Sequence, residues 1–297
     1  MGAWLGSGLP PSAVTRIQRG ADSGLAFSQM AIAGQLALAS CGLVPVGAVV
    51  GCTAKWMDEG DFGLGEVGCG YDSSRPSQNI ATTAKSHVSF AAPAYSAWHS
   101  ALERMLLEAQ GLSADGVVDT VLTEKKAAAG VREFVVSGTA VRATGTVHLE
   151  RPFTTTLSGS DVAKLIAAGW MPASIVLGLS YAIRHDTQTE RRARGRLRSP
   201  CEVLGVTEVV QAARHDARQQ LAARTRAVGA AGAVLSSQLA LSIQPLMVSR
   251  THRDIVATVR ATATAIIEFA GDRSSSSGSC SVLPVTAPRM AHDGGWR

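Results

Sequence analysis

Between positions 97 and 118, AWHSALERMLLEAQGLSADGVV, the apolar residues Leu102, Met105, Leu106 and Ala109 recur at helical spacing, with Glu103, Arg104 and Glu108 mostly off that stripe. This spacing predicts an amphipathic helix. Further on, Leu239, Leu241 and Ile243 alternate with Ala240, Ser242 and Gln244, and Val259, Ala261, Ala263 and Ala265 alternate with Arg260, Thr262 and Thr264. A period of two predicts half-buried strands, each with an apolar and a polar face. Two uninterrupted apolar runs, Val46 to Val50 and Ala173 to Leu177, have the length of buried strands.

These elements occur twice. GLVPVGAVVG at 42 to 51 matches GWMPASIVLG at 169 to 178 at an offset of 127, pairing Gly42 with Gly169, Pro45 with Pro172 and Gly51 with Gly178. A helix-like segment precedes each copy, and Ser158 followed by Asp161 has the spacing of an N-terminal cap. Gly42 and Gly169 then stand where a left-handed residue would close the helix, with a proline three residues on to keep it from resuming. A second block aligns 97 to 118 with the segment ending at 234, so that Gly116 falls on Gly232, and Thr139-Ala140-Val141 matches Thr264-Ala265-Ile266. The organisation expected is an extension over 1–25, a first unit over 26–150 and a second over 151–270. Residues 58–94 are read as a long loop, 184–199 as its shorter arginine-rich counterpart, and the Ser-rich tail from 271 to 297 as disordered.

SADGVV at 113 to 118 followed by SGTAVR at 137 to 142, after helix, Gly-x-x-Pro and apolar strand, resembles the YbjQ family, also called heavy-metal-binding domains. The resemblance covers most of 26–145 and, more weakly, 152–269, where GAAGAV and TATAI replace the two motifs. It implies an α+β fold: two tandem two-layer units, each an antiparallel sheet backed by helices. It also implies association of such units into five-membered rings, so that a tandem chain would build either two stacked rings or one closed mixed arrangement. It brings no catalytic residues.

Composition narrows the chemistry. The 297 residues are 46% hydrophobic and 17% charged, enough to bury two modest cores, and the net charge is +5. Met30 to Gly51 runs uncharged for the length of a membrane span, but Gln35, Gly42, Pro45 and Gly47 interrupt it and its counterpart carries Asp161 and Lys164, so a span is not expected. The leading residues lack the apolar run of a secretory signal, and five irregularly spaced cysteines form no disulfide framework; a cytoplasmic protein is expected.

No cofactor is expected, although a metal ion is possible. Cys41, Cys52 and Cys69, with His87 and His99 near them in sequence, are the candidate ligands, at spacings unlike a zinc motif. Gly63, Gly65 and Gly68 satisfy a dinucleotide fingerprint, but CGYDSSRPS follows where a helix is required. Arg191, Arg192, Arg194, Arg196 and Arg198 form a basic run without aromatic residues, which suits an acidic partner better than nucleic acid. His185 and Asp186 are chain neighbours, not a triad. The function expected is therefore non-enzymatic self-assembly or binding, with metal handling through the first-unit cysteines as the alternative.

Overall fold

In a computed structural model, the described residues are 4, 8–23, 28–57, 85–86, 88–186, 202–236, 239–247, 253–269 and 283–284. The helices are α1 (Pro11–Ser23), α2 (Ile32–Ser40), α3 (Val88–Gly111), α4 (Gly159–Ala167) and α5 (Leu204–Ala227). The strands are β1 (Leu43–Trp56), β2 (Lys85–Ser86), β3 (Gly116–Ala128), β4 (Val131–Ala143), β5 (Phe153–Thr154), β6 (Trp170–His185), β7 (Gly232–Leu235), β8 (Ala240–Met247), β9 (Arg253–Glu268) and β10 (Leu283–Pro284). The fold is α+β. One sheet runs β1-β4-β3-β5 and the other β10-β7-β9-β6-β2, with β8 also on β9.

The helix stops have the expected cause. Gly42 and Gly169 adopt φ of +76° and +84°, the left-handed region in which a side chain is strained. Ser158 accepts the Asp161 N–H and donates its hydroxyl to the Asp161 carboxylate, capping α4. Beyond each glycine the chain enters a long strand, and the registers of β1 on β4 and β6 on β9 slip just after Pro45 and just after Pro172. A bulge accommodates the missing proline donor at both places. The uncharged stretch from Met30 to Gly51 is thus divided between α2 and β1, and no helix among the described residues is long and apolar enough to cross a membrane.

Two boundaries differ from expectation. α3 begins at Val88, and β2 precedes it, inside the stretch read as loop; Pro93 within the helix is what made that turn look non-helical. β6 extends to His185, so Arg184 belongs to a strand rather than to the linking segment. In the tail, Leu283 and Pro284 pair with Ala233 and Gly232. Strand exposure also departs from the half-buried reading. β9 is buried on both faces from Ala261 to Ile266, including Thr262 and Thr264, whereas Leu239, Leu241 and Ile243 remain 38–44% exposed.

Each long helix lies on its own sheet, and a glycine sets the distance. A Cβ on Gly51 would stand 1.9 Å from the Ala101 carbonyl oxygen of α3, and one on Gly178 would stand 2.0 Å from that of Ala217 on α5. Backbone packs on backbone there, which no larger residue allows. Around the first contact, Val49, Phe134 and Val136 surround Trp98 and Met105, with Trp98 and Phe134 edge to face at 5.1 Å. That core also takes in Ile175, Leu177 and Leu179 of the second sheet. α3 is therefore buried from both sides.

Candidate functional site

The most developed polar and apolar constellation is the contact between the two halves. It begins with residues 153–157, the leader of the second unit, which join the outer edge of β3. Phe153 N donates to Asp115 O (3.0 Å) and Thr155 N to Val117 O (2.9 Å), while Asp119 N donates to Leu157 O (3.0 Å) and Thr120 N to Thr155 O (3.1 Å). The pairing is parallel, Gly116 opposite Phe153. A Cβ on Gly116 would stand 2.2 Å from the Phe153 ring, so glycine is the residue that lets this ring lie against the strand. Asp119, at φ +56°, turns the strand so that it follows the leader.

Threonines fasten the leader to its own unit. Thr155 Oγ1 and Thr264 Oγ1 are 2.9 Å apart, Thr156 N donates to Thr264 Oγ1 (3.2 Å), and Leu157 N donates to Thr155 Oγ1 (3.0 Å). The first unit repeats this set: Ser28 Oγ lies 3.4 Å from Thr139 Oγ1, Gln29 N donates to Thr139 Oγ1 (3.1 Å), and Met30 N donates to Ser28 Oγ (3.1 Å). The signal for these positions was the Thr-Ala-hydrophobic match between 139–141 and 264–266.

Next to the leader, α2 and α4 pack at Gly34 and Gly159, where a Cβ on Gly159 would meet the Gly34 carbonyl oxygen at 2.8 Å. Met30, Leu38, Leu43, Val118 and Val141 of the first unit share one core with Phe153 and Val162 of the second. Farther along, Arg260 lies 4.6 Å over the Trp98 ring and Arg224 lies 3.8 Å over Tyr95. Burial lowers the pKa of both guanidinium groups, and Glu124 beside Arg260 and Tyr95 and Asp216 beside Arg224 oppose that shift.

Asp115 directs the chain from one half to the other. Its Oδ2 accepts Ala143 N (2.7 Å), its Oδ1 accepts Leu149 N (2.8 Å), and His148 Nδ1 is 3.0 Å away. Burial alone would raise its pKa, but these hydrogen bonds and the His148 ring outweigh it and hold the carboxyl below its usual range. Asp119 shifts the other way, raised by burial and by the Asp161 charge.

Helix side chains also close the strand edges, a role that periodicity did not reveal. Glu108 is buried, its Oε2 accepting the Val50 N–H (2.9 Å) and its Oε1 receiving Arg16 of α1; Arg104 donates to Cys52 O and to Thr53 Oγ1. At the matching places of the second unit, Arg224 donates to Leu177 O and Gln220 Oε1 accepts Leu179 N (3.2 Å). The bonding partner is conserved in position while donor and acceptor are exchanged.

Among the described residues, the metal candidates Cys41, Cys52 and His99 do not converge. Cys41 is half-buried behind α2 with Sγ 3.7 Å from the Ala163 carbonyl oxygen, and Cys52 is exposed on β1. At strand rise they are about 30 Å apart, too far to share an ion. His99 sits 3.4 Å from Glu103, and among the described residues no three His, Cys, Asp or Glu side chains form a metal-sized group. Cys69, His87, the glycines at 63, 65 and 68, and Arg191, Arg192, Arg194, Arg196 and Arg198 lie outside the described residues. Gly42 and Gly169 fall at helix stops, Pro45 and Pro172 at register slips, and Gly51, Gly116 and Gly178 at close approaches, while Gly232 pairs with Ile266 in its sheet as Gly116 pairs with Val141. A cavity of about 430 Å³ lies among β3, β4, β6, β8 and β9, with Glu124, Lys126, Arg132, Tyr181, Leu241 and Arg260 in its lining. Burial, with Glu124 adding to it and Arg132 opposing, pushes the Tyr181 phenol up to about 12, so at neutral pH it is a donor rather than a base.

No family model and no solved structure matches the chain. Over 108 residues it is 35% identical to a Mycobacterium tuberculosis protein named "Encapsulin nanocompartment protein Rv1762c", a match that takes in 33% of this chain and 41% of that protein, so the chain spans less than half of its relative's length.

Proposed function

We propose that this protein acts by assembling with copies of itself, as a non-enzymatic component of a multi-chain particle in the cytoplasm. The observation that carries this reading is the way one half holds the other. The second unit offers its leader and the outer face of its sheet, and the first receives them with β3, α2 and α3, so donor and acceptor surfaces are different. A contact of this head-to-tail kind leaves one acceptor and one donor surface of every chain for another copy, and repetition closes into a ring or runs on as a filament. The relative's name associates that protein with an encapsulin nanocompartment, and the resemblance to the YbjQ family adds ring formation to the same proposal.

Side-by-side units favour a closed arrangement in which both units of each chain alternate, rather than two stacked rings. A single ring of whole chains then holds an even number of units, and five-fold symmetry takes five chains. Mass photometry of the full chain tests the reading: particles at multiples of 30.8 kDa are expected. A single-chain mass at every micromolar concentration would overturn it.

A further inference from the structure

We infer that the outer edge of β7, beside α4, is the docking surface for the leader and α2 of a second copy of this chain, and that β10 holds this edge until that copy arrives. The inference rests on the self-assembly reading and names the surfaces it would use. Within one chain, β5 pairs with β3 at Gly116 and Val117. The repeat places Gly232 and Ala233 at those positions in the second sheet, and there the occupant is Pro284 and Leu283 of β10. The tail thus sits on the edge that a leader strand takes in the first half.

The matching donor surface is open on α2. Ile32 and Leu36 of α2 are 76% and 68% exposed. At the repeat offset they correspond to Gly159 and Ala163 of α4, which are buried at the α2 contact. Cys52 on the open face of the first sheet is exposed, whereas its counterpart Leu179 is 4% exposed under α3. Ile32, Leu36 and Cys52 are therefore first-unit positions left uncovered among the described residues, while their second-unit counterparts are buried against the first unit. A large apolar side chain such as Ile32 loses its contact with water only when another body covers it.

The seat for the incoming sheet differs from the internal one. Where α3 presents Tyr95, Trp98 and Leu102, α5 presents Gln211, Arg214 and Arg218. A polar seat gives a weaker, reversible contact, one that a short tail strand can contest.

The experiment compares full-length wild type, Ile32→Asp/Leu36→Asp and Leu283→Asp by sedimentation velocity over a range of concentrations, with circular dichroism melting as the control for folding. The double variant is expected to remain at single-chain mass with its melting unchanged, and Leu283→Asp to assemble at about a tenfold lower concentration because the competent edge is freed. A double variant that assembles as well as wild type overturns the α2 surface while leaving self-assembly intact. An unchanged or weakened Leu283→Asp variant overturns the role of β10. Wild type and Leu283→Asp both locked at single-chain mass would remove the self-assembly reading itself, and the inference with it.

Discussion

β1 and β6 are the same strand by descent of the repeat, with the same glycine before them and the same proline bulge, yet β6 is buried on both faces from Ile175 to Ser180 and β1 on only one. Along β1, Gly47, Val49, Gly51 and Thr53 are buried and their neighbours Cys52 and Ala54 are exposed. The cause is α3, which lies on the first sheet with one side and on β6 with the other. An antiparallel sheet tolerates one wet face, so β1 is stable as it stands. The difference teaches that the covering of a strand here depends on which unit comes next, and among the described residues the first unit is the one with nothing behind it.

The sharpest way to break this comparison is to separate helix from sheet in each half. Gly178→Val and Gly51→Val each force a side chain into a helix carbonyl about 2 Å away, and neither can be relieved by a rotamer. Each is expected to cost on the order of 3 kcal/mol or more by urea denaturation, with Gly178→Val the worse because β6 has no open face toward which to shift. Equal tolerance of both would mean that the helices are not held at this distance.

A smaller effect separates the strand-edge devices. Glu108→Ala leaves the Val50 N–H without its acceptor and Arg16 without its carboxylate, and is expected to lower stability by about 1–3 kcal/mol. Arg224→Met removes a donor from Leu177 O but keeps an apolar stem against Tyr95, and should cost less, about 1 kcal/mol. Denaturation midpoints of the two variants measure the difference. A cost for Arg224→Met as large as that for Glu108→Ala would show that the two edges are held by the same means.

What could be read from residues alone was the local grammar. Gly42, Gly169, Ser158 and the two prolines act through their own backbone torsions and hydrogen bonds, which a few neighbouring positions determine. The α+β class was what the family resemblance implied, and the structure has it. The site was not legible, because Glu108, Asp115 and Phe153 act on partners from 28 to 92 residues away or on a glycine that only the topology brings near. Glu108 fell off the apolar stripe and so read as solvent-facing; its burial comes from an unpaired strand edge, a need with no period. The apolar row Leu239, Leu241 and Ile243 read as core for the converse reason: alternation records that a face will be covered, not that the same chain covers it.

The helix stops provide a control in which the two halves should agree. Gly42→Ala and Gly169→Ala both place a Cβ at left-handed φ; at Gly169 the nearest atom is Phe269 O at 4.0 Å, and at Gly42 the Thr144 hydroxyl at 3.3 Å need only yield by a few tenths of an ångström. Each is expected to lose about 1 kcal/mol, read from thermal melts. A marked inequality would locate an asymmetry at the helix ends that the burial comparison does not contain.

The finest distinction is one of pH, at the carboxylate that joins the halves. Asp115 is 3% exposed and binds the Ala143 and Leu149 N–H groups with separate oxygens, so its ionised form is favoured by folding and its folded pKa lies below the unfolded value. Such a group contributes stability that is fully present above the unfolded pKa, about 4, and is lost as pH falls through the folded one. Asp115→Asn turns one acceptor into an NH2 group facing a backbone donor, and removes the charge. The melting temperature of wild type should therefore exceed that of Asp115→Asn by a constant amount from about pH 5 to 8, and the gap should narrow as pH falls below about 4. A gap that widened on acidification would require the carboxyl to be held in its neutral form. The second half has Ala231, not an acid, at the matching position, so no corresponding acid-labile clamp exists there, and the acid limb reports on the junction between units.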